Sequence, residues 1–310
     1  MNNVLAYAFG GVATLLVTAS VSTATLMRVH PTRNYTELKL RIQTWWWLAA
    51  VLLLTLGVNR VVGVVVLAII SFMAFKEFLS LVPTRPTDNA VLLLAYLAIP
   101  VQYLWVHLAW YGMFIIFIPV YVFLLLPLRM VIAGHTKGFL RAVGTLHWGL
   151  MTTVFSLSHL AYLLALPTHA GAHGSIRGEL LVFYLLLLTQ LNDVAQFLWG
   201  KWLGRTKITP TVSPNKTLEG LLGGVATTTL LAWLLAPWLT PLSPLLAVLS
   251  GVLISLFGFT GDVVVSALKR DIGVKDSGSA LPGHGGILDR LDSLTYTAPL
   301  FFHFLYYFCY

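Results

Sequence analysis

The sequence predicts an all-α, polytopic bundle of about ten membrane-spanning helices, and three observations carry that prediction. Apolar runs of about twenty residues, the length that crosses a hydrocarbon core, recur along the 310 positions. Only 10% of residues are charged and mean hydropathy is +0.84, whereas a soluble domain carries roughly a quarter charged residues. The nineteen Lys and Arg also sit in short loops between apolar runs, seventeen in one alternating set of loops and two in the other. The net charge of +8 therefore reads as membrane topology and contact with anionic headgroups, with no nucleic-acid partner. Short alternating segments of the membrane-barrel type are absent. The single cysteine, Cys309, excludes an intrachain disulfide and a cysteine-based metal site.

Taken in order, the spans fall near 4–27, 44–58, 61–75, 89–106, 108–128, 142–165, 178–199, 218–240, 243–268 and 294–309. The first lacks a basic leader and is longer than a signal-peptide core, so it is read as a retained span. The second and third are short and joined by Asn59-Arg60, as a tight helical hairpin or as partly inserted segments. Trp45, Trp46 and Trp47 suit an interfacial aromatic belt. Arg28, Arg33, Lys39, Arg41, Lys76, Arg85, Arg129, Lys137 and Arg141 mark one side, followed by the basic residues of 201–216 and 269–290. The other side holds Arg60 and Arg177. The first side is read as cytoplasmic and both termini as external. Residues 1–170 read as a bundle scaffold with room for lipid or oligomer contacts. Residues 171–310 carry the unusual chemistry.

Seven of the eleven carboxylates lie between positions 193 and 292. Asp193 precedes Lys201 by eight residues and Asp262 precedes Lys269 by seven, which buries each acid about 10–12 Å inside its helix end. Two acids at matching depth point to a shared polar cavity, with an internal ion pair as the plainer reading. Asp289 and Asp292 are three apart and share a face if that turn is helical. A carboxylate pair converging with Asp262 suits Mg²⁺, which favours a few carboxylates plus waters and phosphates. Charge complementing a helix N-terminus is the alternative for that pair.

Two polar loops surround these acids. Leu281-Pro282-Gly283-His284-Gly285-Gly286 is glycine-rich and leads towards a helix, so its amides can approach phosphate closely. Lys201 to Glu219 offers Ser213, Lys216 and Thr217 as phosphate-contacting types, although Thr-x-Glu equally resembles a helix cap. Among the other cations, Lys269, Arg270, Lys275 and Arg290 suit phosphate oxygens. No Walker loop, nucleophile elbow or HExxH helix is present.

The segment Ser266-x-x-Lys269-Arg270-x4-Lys275-Asp276-x-Gly278-x3-Pro282-x-His284-Gly285-Gly286-x2-Asp289-Arg290-x-Asp292 resembles the signature of the phosphatidate cytidylyltransferases. Gly261-Asp262, Asn192-Asp193 and Ser213-Pro214-x-Lys216-Thr217-x-Glu219-Gly220 fit the same pattern, so the resemblance covers about residues 185–295. It departs at Asp193-Val194-Ala195-Gln196-Phe197, where many bacterial members carry Asp-Thr-x-Ala-Tyr. The resemblance implies CTP and phosphatidic acid as substrates, giving CDP-diacylglycerol and pyrophosphate in phospholipid biosynthesis. It implies Mg²⁺ as cofactor, with Asp262, Asp289 and Asp292 as ligands, and is compatible with a second cation such as K⁺ and with a homodimer. Lys269, Arg270, Lys275 and Arg290 would neutralise phosphates, with Asp276 and His284 also in the catalytic group. Asp193, Ser213, Lys216, Glu219, Ser266, Gly285 and Gly286 would contact substrate. The implied location is a bacterial inner membrane, with the site facing the cytoplasm. A polyprenol kinase-like enzyme and an anionic solute or lipid transporter are the competing readings, the latter weakened by the absence of paired broken helices.

Overall fold

The computed structural model describes residues 3–30, 35–82, 89–134, 137–278, 280–281 and 285–310. Among them, eight helices are long and apolar enough to cross a membrane, fewer than the ten expected. These are α1 (Asn3–Val29), α2 (Thr36–Gly57), α3 (Arg60–Leu81), α4 (Asn89–His107), the composite segment Tyr111–Ile132, α9 (Gly178–Leu203), α10 (Leu218–Leu239) and α11 (Pro244–Ile272). The composite joins α5 (Tyr111–Ile116) to α6 (Phe123–Ile132) through a π-helical stretch, Phe117–Val122, that contains Pro119. Proline lacks the N–H that a regular turn needs, and the widened ladder accommodates it.

The other two expected spans fall outside that count by length or composition, although both are helical. Residues 139–163 form α7 (Phe139–Leu150) and α8 (Ser156–Leu163), broken by the π-helical stretch Met151–Phe155. Thr152, Thr153 and Ser156 there bond back to carbonyls of the same helix. The last helix, α13 (Leu294–Cys309), has 16 residues and rises about 24 Å, short of a hydrocarbon core of about 30 Å. Both run alongside the longer helices: Gly149 lies against Phe75 and Phe78 towards one end of α3 and Leu164 against Gly63 towards the other, while Tyr306 near the end of α13 stacks on Tyr111. Every residue of α8 is buried, and α13 packs on α8, α9 and α11.

The expected shortness of the second and third spans is corrected, since α2 and α3 have 22 residues each. Polar residues such as Lys39, Arg41, Lys76 and Glu77, which sequence reading left in loops, continue these helices past the apolar core. The Asn59 side chain caps α3 by accepting the Val62 amide at 2.9 Å. At that same end Arg60 donates to the Val106 and His107 carbonyls, satisfying the terminus of α4. Two three-residue strands, β1 (His169–Gly171) and β2 (Gly174–Ile176), form an antiparallel hairpin there, a small addition to the all-α expectation. Trp45, Trp46 and Trp47 are exposed on α2.

The helices that position the polar residues pack as a group, α9 against α10, α10 against α11, and α11 against α13. Thr217 Oγ1 caps α10 through the Gly220 amide at 3.1 Å, so the plain capping reading of this threonine holds. Ser243 and Pro244 start α11, and Gly273 at φ +80° ends it, with the Val274 amide closing on the Lys269 carbonyl.

Candidate active site

Asn192 sits where three helices meet. Its Oδ1 accepts the hydroxyls of Thr228 on α10 at 3.1 Å and Ser255 on α11 at 2.5 Å. Glycines let the helices close round it, because a Cβ at 224 would lie 3.2 Å from that oxygen and one at 258 would lie 3.1 Å from Asn192 Nδ2. The next residue, Asp193, is thereby turned towards the start of α13, where Ser293 Oγ donates to both of its oxygens at 3.3 and 3.2 Å.

Asp262 lies on α11 across from it. Its Oδ2 meets Lys216 Nζ at 2.5 Å, and Ser266, one turn further, donates to Oδ1 at 3.3 Å. The neighbouring Gly261 allows α11 to lie against the chain at Asp292–Ser293, with a Cβ there 3.1 Å from Ser293 Cα. That contact seats Asp292 beside Asp262 and Asp193. Burial first, and then the Asp262 and Asp193 carboxylates, push the Asp292 carboxyl up to about 8.

Asp289, in the one-turn helix α12 (Leu288–Leu291), faces a different set of groups. Its Oδ1 pairs with Lys269 Nζ at 2.7 Å, both side chains being about nine-tenths buried, at 8% and 11% exposure. Its Oδ2 accepts the Ser277 and Gly286 amides, each at 2.9 Å. Burial alone would raise this carboxyl, but Lys269 and the two amides outweigh it and hold the group below the usual carboxylate range. Gly285, at φ +80°, fits under Asp289, because a Cβ would stand 2.7 Å from Oδ2.

The structure thus brings together Asp193, Lys216, Asp262, Ser266, Lys269, Gly285, Gly286, Asp289 and Asp292. The other expected site residues differ in their surroundings. Arg270 is exposed and donates to the Val212 and Val274 carbonyls, fastening one polar loop to the other. Glu219 spends its carboxylate on the Arg205 and Thr206 amides, closing the 204–217 loop on itself. Ser213 lies in that loop, its carbonyl accepting the Lys216 amide. Lys275, Asp276 and Arg290 are exposed, and His284 lies outside the described residues. Val194 and Phe197, where the sequence departs from the expected motif, are 53% and 66% exposed on α9, Phe197 one turn along from Asp193.

Sequence reading missed Glu77. This acid on α3 accepts the Ser277 hydroxyl and the Ile287 and Leu288 amides. The available signal was a lone carboxylate closing an otherwise apolar helix, and its neighbour Lys76 made the pair look like an ordinary interfacial charge.

Among the described residues, no three His, Cys, Asp or Glu side chains stand close enough to enclose a metal ion by themselves. The donor set is nevertheless hard oxygen throughout, and Asp292, raised first by burial and then by Asp262 and Asp193, lies beside two further carboxylates. That combination fits a cation such as Mg²⁺, which keeps waters and substrate phosphates in its shell.

Comparisons with known proteins agree with this chemistry. The sequence profile of the Cytidylyltransferase family matches residues 39–308. The uncharacterized protein YnbB of Escherichia coli (strain K12) is 47% identical over 296 residues, 96% of each chain. A phosphatidate cytidylyltransferase of Synechocystis is 47% identical over 115 residues, 36% of this chain and 39% of that protein. One from Staphylococcus aureus (strain COL) is 45% identical over 121 residues, 38% of this chain and 46% of that one. The alignment with the named phosphatidate cytidylyltransferases therefore spans less than half their length.

Proposed function

The chain belongs to the cytidylyltransferase family, and from that premise we propose that it is a membrane enzyme that makes CDP-diacylglycerol from CTP and phosphatidic acid. An oxygen of the lipid phosphate attacks the α-phosphorus of CTP, the bond to the β-phosphate breaks, and pyrophosphate leaves. The observation that carries this reading is the juxtaposition of Lys269, paired with Asp289, and Lys216, paired with Asp262, beside the Asp193 and Asp292 carboxylates. Reactions of this type need positioning and charge neutralisation more than covalent work by the protein.

In this reading Lys216 and Lys269 exchange their carboxylate partners for phosphate oxygens, and Arg270, Lys275 and Arg290 add positive charge at the rim. Ser213 and Ser266 offer hydroxyls. His284, Asp276 and Glu219 complete the loops that enclose the nucleotide. Mg²⁺ would be held by Asp262, Asp289 and Asp292, and it supplies charge neutralisation for the phosphates when bound. Asp193, braced by Ser293, keeps the carboxylate face in place. The phosphatidate phosphate is already ionised near neutrality, so no strong general base is needed. The membrane setting follows from the eight candidate spans, and we place the site on the cytoplasmic side of a bacterial inner membrane, where the basic loops lie.

The test uses detergent-purified protein with CTP, Mg²⁺ and a panel of acidic lipids, reading CDP-lipid by mass. CTP labelled at the α- or γ-phosphate separates nucleotidyl transfer from a kinase. Label from the γ-position appearing in lipid, or no metal-dependent release of pyrophosphate with any lipid acid, refutes the reading. Because the exposed Val194 and Phe197 present apolar surface where hydroxyls were expected, the lipid acid is the component to vary.

A further inference from the structure

Two carboxylates grip the same short piece of chain. Asp289 takes the amides of Ser277 and Gly286, while Glu77 takes the Ser277 hydroxyl and the next two amides, Ile287 and Leu288. Glu77 arrives from α3, some two hundred residues away in sequence. Gly286 lies between the two acids, and a Cβ there would collide with Glu77 Oε1 and Ser277 Oγ. Ser277 is 1% exposed, so its hydroxyl has no ready exchange of Glu77 for solvent.

We propose that Glu77 is a positioning residue for the reaction, a tie from the N-terminal helices that fixes Ser277 and Ile287–Leu288 and so aims Asp289 at Lys269. The inference rests on the cytidylyltransferase reading for its kinetic consequence, although the tie itself does not. The chemistry calls for a carboxylate. Oε1 accepts the Ser277 hydroxyl and the Leu288 amide, and Oε2 accepts the Ile287 amide at 2.8 Å. A glutamine has only one acceptor oxygen, so its NH₂ group would face an N–H or hydroxyl donor, leaving a buried donor unmatched. The loop would then shift, carrying the two amides that orient Asp289.

The experiment uses full-length protein in detergent, as wild type, Glu77→Gln and Ser277→Ala. Two readouts are taken: kcat and KM for CTP with Mg²⁺ and the best lipid acid, and amide hydrogen exchange at Ile287 and Leu288. In Glu77→Gln, kcat falls about a hundredfold while KM for CTP changes by less than about threefold, since misplacing reacting groups weakens the transition state more than binding. Exchange at Ile287 and Leu288 quickens by about tenfold or more without a matching rise at α9 or α11. Ser277→Ala, which removes one donor and leaves the carboxylate in place, gives a smaller change in the same direction. Wild-type kcat in Glu77→Gln, or a lowered melting temperature with kcat intact, overturns the proposal. If Glu77→Gln does not fold, Ser277→Ala decides, and its having wild-type kcat and exchange overturns the proposal. If wild type itself does not turn over CTP, the functional reading fails, while the exchange measurement still tests the tie.

Discussion

Gly261→Ala tests the seating of the acids most directly, because it adds one methyl group at the tightest contact beside them. A Cβ at 261 would lie 3.1 Å from Ser293 Cα and 3.2 Å from the Ser293 carbonyl oxygen, and closer still to the Asp292 carbonyl oxygen. Ordinary carbon contacts need about 3.5 Å or more, so α11 and the 292–293 turn must part by something on the order of 1 Å. Overpacking of this kind costs about 1–3 kcal/mol of stability. Displacing the reacting groups by about 1 Å costs roughly a hundredfold in rate, so activity is expected to suffer more than folding. The assay pairs CDP-lipid formation with a thermal melt of the same preparation. Gly144→Ala is the control, since nothing lies within 4 Å of a Cβ at that helical position. Wild-type turnover and melting temperature in Gly261→Ala, with the control also unchanged, would show that α11 does not seat Asp292 as described.

Three further outcomes are expected. Asp289→Asn abolishes turnover and lowers the melting temperature, because buried Lys269 loses its counter-charge and the amide cannot accept all three donors; near-normal activity of the purified variant refutes its assignment. Without divalent cation, the melting temperature falls as pH rises from about 5 to 8. Asp292 binds its proton more tightly folded, at about 8, than at the ordinary 3.8, so the native state loses stability through that window. Asp289 has the opposite sign and contributes stability that is lost only below the ordinary carboxylate range. Mg²⁺ should therefore raise the melting temperature more at pH 8 than at pH 5, and an equal rise at both contradicts a cation among these acids. Glu219→Gln loosens the 204–217 loop by weakening its bonds to the Arg205 and Thr206 amides, and proteolysis within that loop should quicken; unchanged cleavage argues against it.

The membrane character was legible from composition, and so was the pairing of Asp193 with Asp262, because helical rise puts acids near loop ends at calculable depth. Helix lengths were less legible. Lys39, Arg41, Lys76 and Glu77 look like loop residues by hydropathy, yet helices continue through them wherever headgroups and water solvate the side chains. The break at Met151–Phe155 carries no proline and no glycine, so nothing in the local sequence announced it. Partner choice was the least legible property. Asp289 and Asp292 were expected to share a face, but the turn at 292 sends one towards Lys269 and the other towards Asp262. Glu77 stayed hidden because a hydrogen bond across two hundred residues leaves no periodic trace.

The length of α11 has one further consequence. Its 29 residues extend about 43 Å, more than a hydrocarbon core of about 30 Å. Asp262 and Lys269 ride on that single rod two turns apart, so neither can sink or rise through the bilayer without the other. Thinner or thicker lipid would tilt the rod and move acid and base together against the plane of the phosphates. Bilayer thickness thereby becomes a setting for how deep a lipid headgroup must sit to meet both.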